Sequence, residues 1–360
     1  MTSPAFPALI PPGSTIGILG GGQLGRMTAL AAARLGYSTH VFCPELDSPA
    51  AQVCTAITNA DYTDEAALAR FADAVDVVTL EFENIPLFPV EFLAARKPMR
   101  PGPKALATGQ DRVSEKTFFN GFAETAPWRA VTTLPELEAA VAAIGTPAVL
   151  KTARMGYDGK GQVKIMPGDD LAAAWASLRT DNAILEGFVT FTKEISVIVA
   201  RSPQGQTAAY CPVENVHTNH VLDTTTAPAP ISDALTAEAM RIAGTAAAEL
   251  DLVGLLAVEM FVTADGRVLV NEMAPRPHNS GHWTMDACLT DQFEQLVRAV
   301  CGLPLGSPER RCDAVMKNLL GDDIQNWPEL LANPQAKLHL YGKAEARPGR
   351  KMGHVNFLKG

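Results

Sequence analysis

Paired cysteines, an excess of basic residues and long apolar runs are all missing from this 360-residue sequence. Its six cysteines form no CxxC pair, which argues against a zinc cluster or a disulfide framework. The formal net charge of −9 argues against a nucleic-acid partner, because such partners require a basic surface. No apolar stretch of about 18 residues and no signal-like leader occurs, so we expect a cytoplasmic protein that does not contact a membrane.

The length and composition indicate a globular enzyme of two or three domains. Hydrophobic residues make up 47% of the chain and charged residues 19%, which is ordinary for such a protein. Between residues 15 and 105, strand-like runs such as TIGIL and STHVFC alternate with helical patterns such as LGRMTALAAAR. This alternation predicts a parallel α/β sheet at the N-terminus.

A glycine-rich turn at residues 20–25 follows the first predicted strand and matches G-x-G-x-x-G. A dinucleotide site also needs an acidic residue at the end of the second strand. Here that strand ends at Cys43, and Glu45 lies beyond a proline. The turn still opens a helix, whose N-terminus favours a phosphate group. We therefore expect it to hold a phosphate other than that of NAD.

A second signal is a hairpin centred on Asp265-Gly266. If these two residues form the loop, Glu259 lies directly opposite Glu272 on one face of the sheet. Two carboxylates among buried apolar neighbours require a cation, and Mg²⁺ is commonly held by one or two carboxylates together with substrate phosphates. Asn271 supplies a further oxygen. The alternative is a solvated hairpin with two surface acids.

A third signal follows the strand that ends at Lys151. Residues 156–162 contain three glycines, and Arg154 and Lys160 add positive charge. Such a loop can direct its N–H groups at an anion, although it lacks the GK[ST] of a Walker A loop. We interpret it as a flap over nucleotide phosphates. An ordinary glycine-rich hairpin is the alternative.

The segment ILEGFVTFTKEISV places Glu186 and Glu194 around two apolar strands. Backbone groups at residues 186–188 could meet an adenine edge, and Glu194 could accept hydrogen bonds from ribose hydroxyls. By itself this pattern is common among unrelated proteins.

Together, these motifs resemble the ATP-grasp superfamily in order and spacing. More narrowly, the chain from about residue 15 to its end resembles the N5-carboxyaminoimidazole ribonucleotide synthetase family of purine biosynthesis. The resemblance rests on five segments: GGGQLGRM, TLEFENIP, GYDGKGQ, NEMAPRPHNSGHWT and YGKAEARPGRKMGH.

The resemblance implies an α/β (in part α+β) ATP-grasp fold. It implies an N-terminal Rossmann-like domain over residues 1–105, an ATP-grasp region over 106–300 with a flap subdomain at about 120–190, and a small β-rich C-terminal domain over 301–360. The implied activity uses ATP and Mg²⁺ to convert bicarbonate to carboxyphosphate and to carboxylate aminoimidazole ribonucleotide. A homodimer is also implied.

Site residues carry over by position from the same resemblance. Those implied to bind ATP are Arg112, Lys151, Gly156, Tyr157, Asp158, Gly159, Lys160, Gly161, Gln162, Glu186, Gly187, Phe188, Val189, Glu194, His217, Asn271 and Glu272. Those implied to bind the ribonucleotide are Gly22, Gln23, Leu24, Glu83, Tyr157, Asp158, Arg276, His278, Lys343 and Arg350. Metal ligation falls to Glu259 and Glu272, and catalysis to Lys151, Arg276, Lys343 and Arg350. The turn at residues 20–25 would hold the 5′-phosphate of the ribonucleotide.

Three other functions remain open at this level. A related ATP-grasp ligase, such as a formate-dependent glycinamide ribonucleotide transformylase, would use formate in place of bicarbonate. An NAD(P)-dependent oxidoreductase would bind nicotinamide at the glycine turn. An inactive binding module would show no turnover, although the pair Glu259 and Glu272 argues against it.

Overall fold

The computed structural model of the chain describes residues 8–154, 156 and 161–359, which form three β-sheets. Tyr157, Asp158, Gly159 and Lys160 of the predicted flap loop lie outside the described residues. None of the described helices is both long enough and apolar enough to cross a membrane.

The first sheet is parallel and has the strand order β3-β2-β1-β4. Its elements are β1 (Thr15–Leu19), α1 (Gln23–Arg34), β2 (Ser38–Cys43), β3 (Ala56–Asn59), α2 (Glu65–Asp73), β4 (Val77–Leu80), α3 (Leu87–Ala94) and α4 (Pro103–Gln110). The predicted parallel α/β sheet is confirmed. The four-residue β3 was not expected, since it is short, mostly exposed and without a clear apolar alternation.

The second sheet is antiparallel, with the order β5-β8-β6-β7, and lies within the flap subdomain predicted at about residues 120–190. It follows α5 (Arg112–Phe119), which begins at the capping side chain of Asp111. Its elements are β5 (Trp128–Val131), α6 (Leu134–Ile144), β6 (Ala148–Thr152), β7 (Gln162–Ile165), α7 (Leu171–Leu178) and β8 (Ala183–Gly187).

The third sheet has nine strands and extends to the end of the described chain. Its path runs β14-β13-β9-β11-β12-β15-β17-β16, with β10 beside β9. Its elements are β9 (Phe191–Arg201), β10 (Thr207–Ala209), β11 (Val213–Thr218), β12 (Val221–Ala227), α8 (Asp233–Glu249), β13 (Gly254–Thr263), β14 (Val268–Ala274), α9 (Thr284–Ala287), α10 (Gln292–Cys301), β15 (Asp313–Leu320), α11 (Trp327–Ala332), β16 (Ala336–Leu340) and β17 (Lys351–Lys359). The C-terminal strands therefore extend the central sheet and do not form a separate one.

Two buried clusters join these parts. One brings α1 and β1 together with α10, strands of the large sheet and Trp283, whose exposed fraction is 1%. The other packs α8 and Phe119 of α5 against β9, β13 and β14. Because burial of apolar surface is the main stabilising term in folding, the first cluster fixes how the N-terminal sheet meets the large sheet, and the second holds α8 and α5 on the large sheet.

The hairpin between β13 and β14 places Glu259 opposite Glu272, as predicted, but by a different route. The Thr263 N–H donates to the Arg267 carbonyl at 3.0 Å, so the loop has three residues and not two. That loop alone would set Glu259 against Asn271. A β-bulge at Asn271 adds one residue to β14 and restores the predicted pair.

The hairpin loop yields a stability prediction. Gly266 has φ +81° and no neighbour that an added Cβ would touch, so Gly266→Ala should cost about 1 kcal/mol through backbone strain alone. Gly244, inside α8, also has open space around it, and Gly244→Ala should stabilise by about 0.5–1 kcal/mol. The midpoints of urea unfolding should therefore shift in opposite directions. Equal shifts would contradict the left-handed geometry of Gly266.

Candidate active site

The three sheets and the loop before β17 border one cleft of about 1160 Å³. It collects most of the predicted site residues from positions far apart in the chain. Those that line it are Gly22, Gln23, Leu24, Glu83, Arg112, Lys151, Gly156, Gln162, Phe188, Glu194, His217, Glu259, Asn271, Glu272, Arg276, His278, Lys343 and Arg350. Such a large polar cleft has room for more than one small-molecule ligand.

Four predicted and described residues do not line this cleft: Gly161, Glu186, Gly187 and Val189. The N–H groups of Gly187 and Phe188 donate to the carbonyls of Pro127 and Pro147. In the described part of the chain the Val189 N–H has no such partner, so it is the donor of this segment that a ligand could use.

The two acids of the hairpin are each paired with a basic side chain from another segment. Glu259 Oε1 lies 2.9 Å from His278 Nε2, and Glu272 Oε2 lies 3.1 Å from Arg112 Nη1. Burial alone would raise the pKa of Glu259, but the neighbouring His278 outweighs it and lowers that pKa to about 2. The Glu259 carboxylate is therefore ionised in neutral solution, as a ligand of a hard cation would have to be.

Behind the cleft wall, a second carboxylate is held by lysines. Glu186 Oε2 lies 3.0 Å from Lys151 Nζ and 3.6 Å from Lys116 Nζ. Although burial raises the pKa of Glu186, the two ammonium groups lower it to about 2. From the sequence, the backbone of residues 186–188 is expected to meet an adenine edge. The side chain of Glu186 does not line the cleft and points into the interior.

One wall of the cleft is aromatic and contains a charged pair. Phe191 stacks on Phe261 with ring centroids 4.7 Å apart, and Phe188 is 43% exposed. Nearby, His217 and Glu194 share a short hydrogen bond. Burial lowers the pKa of His217, but the hydrogen bond to Glu194 outweighs it, and the net pKa is raised. Flat apolar surface beside a polar pair suits a purine nucleoside.

The glycine turn at the start of α1 differs from expectation. The N–H groups of Gly22 and Gly25 both donate to the Glu81 carboxylate, at 2.7 and 3.0 Å. A Cβ on Gly22 would lie 2.7 Å from Glu81 Oε1, so glycine is required by close approach. From the sequence, this turn is expected to hold the 5′-phosphate; in the structure two of its N–H groups already donate to the carboxylate of Glu81, which takes part of the anion site.

Next to that turn, Glu83 and Arg276 form a two-pronged ion pair, with Arg276 Nη2 2.6 Å from Glu83 Oε1. Burial opposes the charge of Arg276, but the attraction of Glu83 is stronger and the pKa of Arg276 is raised. The Glu83 carboxylate therefore holds the guanidinium in place at the cleft.

Another part of the cleft's rim is cationic. Lys343, Arg347, Arg350 and Lys351 all line the cleft there. Lys343 Nζ donates to the Lys351 carbonyl at 2.7 Å. Burial, together with the positive charges of Arg350 and Lys351, lowers the pKa of Lys343 to about 8. An anion that binds among these side chains would stabilise the charged form of Lys343.

Three charged side chains that hold other groups at or behind the cleft wall were not identified from the sequence: Glu81, Glu115 and Lys116. Glu115 and Lys116 lie three and four positions after Arg112, on the same face of α5, and this helical spacing could have indicated them. Glu81 follows β4, which neighbours β1 in the parallel sheet. The carboxyl ends of these strands meet, and this could have placed Glu81 beside the glycine turn.

Family models match three successive parts of the chain. They are a ribonucleotide synthetase preATP-grasp domain at residues 14–110, an ATP-grasp domain at 119–293 and a phosphoribosylaminoimidazole carboxylase C-terminal domain at 314–360. The N5-carboxyaminoimidazole ribonucleotide synthase of Brucella melitensis is 52% identical over 97% of both chains. That of Bacillus subtilis is 46% identical over 98% of this chain and 93% of its own.

Solved structures of the same enzyme family also resemble this chain. The ADP complex of an N5-carboxyaminoimidazole ribonucleotide synthetase matches with a TM-score of 0.94 and 45% identity, covering 98% of this chain and 94% of that one. The Aspergillus clavatus enzyme with ADP and 5-aminoimidazole ribonucleotide matches at 0.89 and 31% identity, covering 96% and 94%. Fold and cleft together define an ATP-dependent ligase of the ATP-grasp class.

Within that class, the chain belongs to the N5-carboxyaminoimidazole ribonucleotide synthase family of purine biosynthesis. The relatives favour this activity over that of a formate-dependent transformylase. They also leave no basis for the oxidoreductase and the inactive module as alternatives.

The hydrogen bonds from the glycine turn to Glu81 yield a test of the anion site. Glu81→Ala should lower the melting temperature, because two buried N–H groups lose their acceptor at a cost of about 1–3 kcal/mol. Inorganic phosphate should then raise the melting temperature of this variant more than that of the wild type, by binding at the freed helix N-terminus. Glu91→Ala, on the exposed surface of α3, is the control. An equal phosphate response in all three proteins would contradict the anion site.

Proposed function

We propose that this cleft uses ATP and bicarbonate to carboxylate the amine of 5-aminoimidazole ribonucleotide through carboxyphosphate. The observation that carries the proposal is the meeting of the opposed acids Glu259 and Glu272, the cations Lys151 and Arg112, and a separate cationic rim in one cleft. One anionic ligand would be seated at each end. Similar enzymes bind ADP together with aminoimidazole ribonucleotide.

The nucleotide would lie along the flap side of the cleft. Its adenine edge would meet the free N–H of Val189, and its base would contact the aromatic wall at Phe188. Glu194, oriented by His217, would accept hydrogen bonds from the ribose hydroxyls. Lys151 and the loop of residues 156–162 would hold the phosphates.

The acids fit a magnesium ion. Within the described ranges, no three acidic, histidine or cysteine side chains converge closely enough to hold a metal by themselves. Glu259 and Glu272 with the Asn271 oxygen supply hard ligands, and substrate phosphates would complete the set. When bound, the ion would neutralise charge on the transferring phosphoryl group. The partners His278 and Arg112 hold both carboxylates at the cleft.

The ribonucleotide would lie between α1 and the cationic rim. Gly22, Gln23 and Leu24 border that end of the cleft, beside Glu83. The first-turn N–H groups of Gln23 and Leu24 have no acceptor within the helix, so they can meet the ligand. We propose that Lys343 and Arg350 hold most of the charge of the 5′-phosphate, because Glu81 already occupies the glycine turn.

The carboxyl transfer would take place where Arg276 and His278 meet the cleft. A bicarbonate oxygen attacks the γ-phosphorus and ADP leaves; the substrate amine then attacks the carboxyl carbon, phosphate leaves, and the nitrogen loses a proton. Arg276 and His278 would orient the bicarbonate and carboxyphosphate oxygens. No covalent nucleophile is required, because positioning and charge neutralisation suffice. Exclusion of water would protect carboxyphosphate.

We also propose that the enzyme is a cytoplasmic homodimer with domains at residues 1–105, 106–300 and 301–360, the flap lying at about 120–190. The family resemblance implies the homodimer and the division into domains. Sedimentation equilibrium at several protein concentrations would test the dimer.

The direct test is ADP release with bicarbonate, with and without aminoimidazole ribonucleotide. We expect release to require ATP and to rise on addition of the ribonucleotide, with product carbon derived from bicarbonate. Incorporation of formate would contradict the proposal. Binding of NAD at the same cleft, seen by nicotinamide fluorescence, would also count against it.

The acid pair is tested by Glu272→Gln. Turnover should fall by about 100-fold or more, because a metal ligand is lost. Stability should change by less than about 1 kcal/mol, since the pair with Arg112 is partly exposed. Glu124→Gln removes an exposed partner of Arg267 and serves as the matched control with normal turnover. Normal turnover in Glu272→Gln would exclude the metal role.

The cationic rim predicts a pH dependence. Lys343 has a pKa lowered to about 8, so in the free enzyme it loses its charge as pH rises through that value. Since kcat/KM reports the free enzyme, kcat/KM for the ribonucleotide should fall above about pH 8. Lys343→Arg keeps its charge and should shift this fall to higher pH. An unchanged profile would remove Lys343 from the phosphate site.

A further inference from the structure

Lys116 is a buried lysine to which sequence and family resemblance assign no role. Burial lowers the pKa of Lys116, and the carboxylates of Glu186 and Glu115 act against that shift and favour the charged form. It lies on α5, and its side chain is 1% exposed. Its Nζ is 2.6 Å from the Asn271 carbonyl oxygen, 3.4 Å from that of Val270 and 3.6 Å from Glu186 Oε2. The Lys116 side chain therefore links helix α5 both to the edge strand β14 and to Glu186 of β8 in the second sheet.

The position of Lys116 is fixed by its surroundings. β14 is the edge strand of the large sheet, and its bulge at Asn271 leaves backbone groups without strand partners. Lys116 donates to Asn271, and the neighbouring Glu115 accepts from the Met273 N–H at 2.6 Å. Leaving such groups unpaired would be costly, so Lys116 stays with β14.

Lys151 is held differently. Its side chain borders the cleft and is 13% exposed, and its one hydrogen bond among the described residues is to Glu186 Oε2. If Lys151 turns toward a nucleotide phosphate, Glu186 loses that partner. The Glu186 side chain is 5% exposed, and its Oε1 has no hydrogen-bond partner in the described structure, so it needs another cation.

We propose that Lys116 is a positioning residue: it is the permanent counter-ion of Glu186, and it frees Lys151 to bind nucleotide phosphate. Without Lys116, a phosphate would compete with a buried carboxylate for the single ammonium group of Lys151. The inference rests on the proposed phosphate contact of Lys151. It adds a second lysine whose effect on the nucleotide is indirect.

The test compares the affinities of the protein for ADP and for adenosine. ADP is titrated calorimetrically, and adenosine is measured by its competition with ADP. All titrations contain EDTA so that no metal contributes. Lys116→Met keeps the length of the side chain and removes its charge. We expect ADP to bind about tenfold more weakly or worse, which corresponds to about 1.4 kcal/mol. Adenosine, which lacks phosphate, should bind within about twofold of wild type. Unchanged ADP affinity, or equal loss for both ligands, would overturn the proposal.

The double variant Lys116→Met/Glu186→Gln separates a counter-ion from a merely structural lysine. Removing both charges releases Lys151 again, so ADP affinity should return to within about threefold of wild type. If Lys116 only supported β14, the double variant would remain as weak as the single one. Should Lys116→Met fail to fold, the double variant is compared with wild type directly, and ADP affinity more than about threefold weaker would overturn the proposal.

Lys151→Met is the control for the underlying assumption. It should weaken ADP binding and leave adenosine binding unchanged. If Lys151→Met binds ADP normally, the proposed phosphate contact of Lys151 fails, and the inference fails with it. If only the Lys116 variants depart from expectation, the phosphate contact stands and the counter-ion role is rejected.

Discussion

The pairing of β13 with β14 across a one-residue bulge is the constraint on which the site depends. A change of one residue in this register would turn Glu272 to the opposite face of the sheet. The bulge also leaves the backbone groups that α5 satisfies through Glu115 and Lys116. The same helix carries Arg112 to Glu272. The local irregularity of one edge strand thus places the acids and recruits the cations around them.

Much of this was predictable from the sequence, because strand periodicity and turn residues act locally. The parallel N-terminal sheet and the pair of Glu259 with Glu272 were predicted correctly. The loop length was not, since Asp265-Gly266 is compatible with both two- and three-residue turns. The predicted loop was one residue too short, and the bulge at Asn271 was not predicted. These two errors cancelled, so the predicted pairing of Glu259 with Glu272 was correct.

Long-range contacts were beyond such reasoning. Glu81 reaches the glycine turn across 59 positions, and no local pattern shows that a carboxylate will fill a helix N-terminus. Glu186 was predicted to lie at the nucleotide, but whether its side chain faces ligand or interior depends on the lysines packed behind it. Most predicted residues do meet in one cleft. Their individual roles depend on contacts between sheets that only the folded structure specifies.

The side chains of the cleft neutralise much of one another's charge. Glu259 with His278, Glu272 with Arg112, Glu83 with Arg276 and Glu186 with Lys151 each join different segments. Pairing lowers the cost of charges held at a partly buried site before ligands arrive. Binding of anionic substrates then amounts to an exchange of partners. An exchange is favoured where a second group compensates the partner left behind, and the proposed role of Lys116 beside Glu186 is one such case.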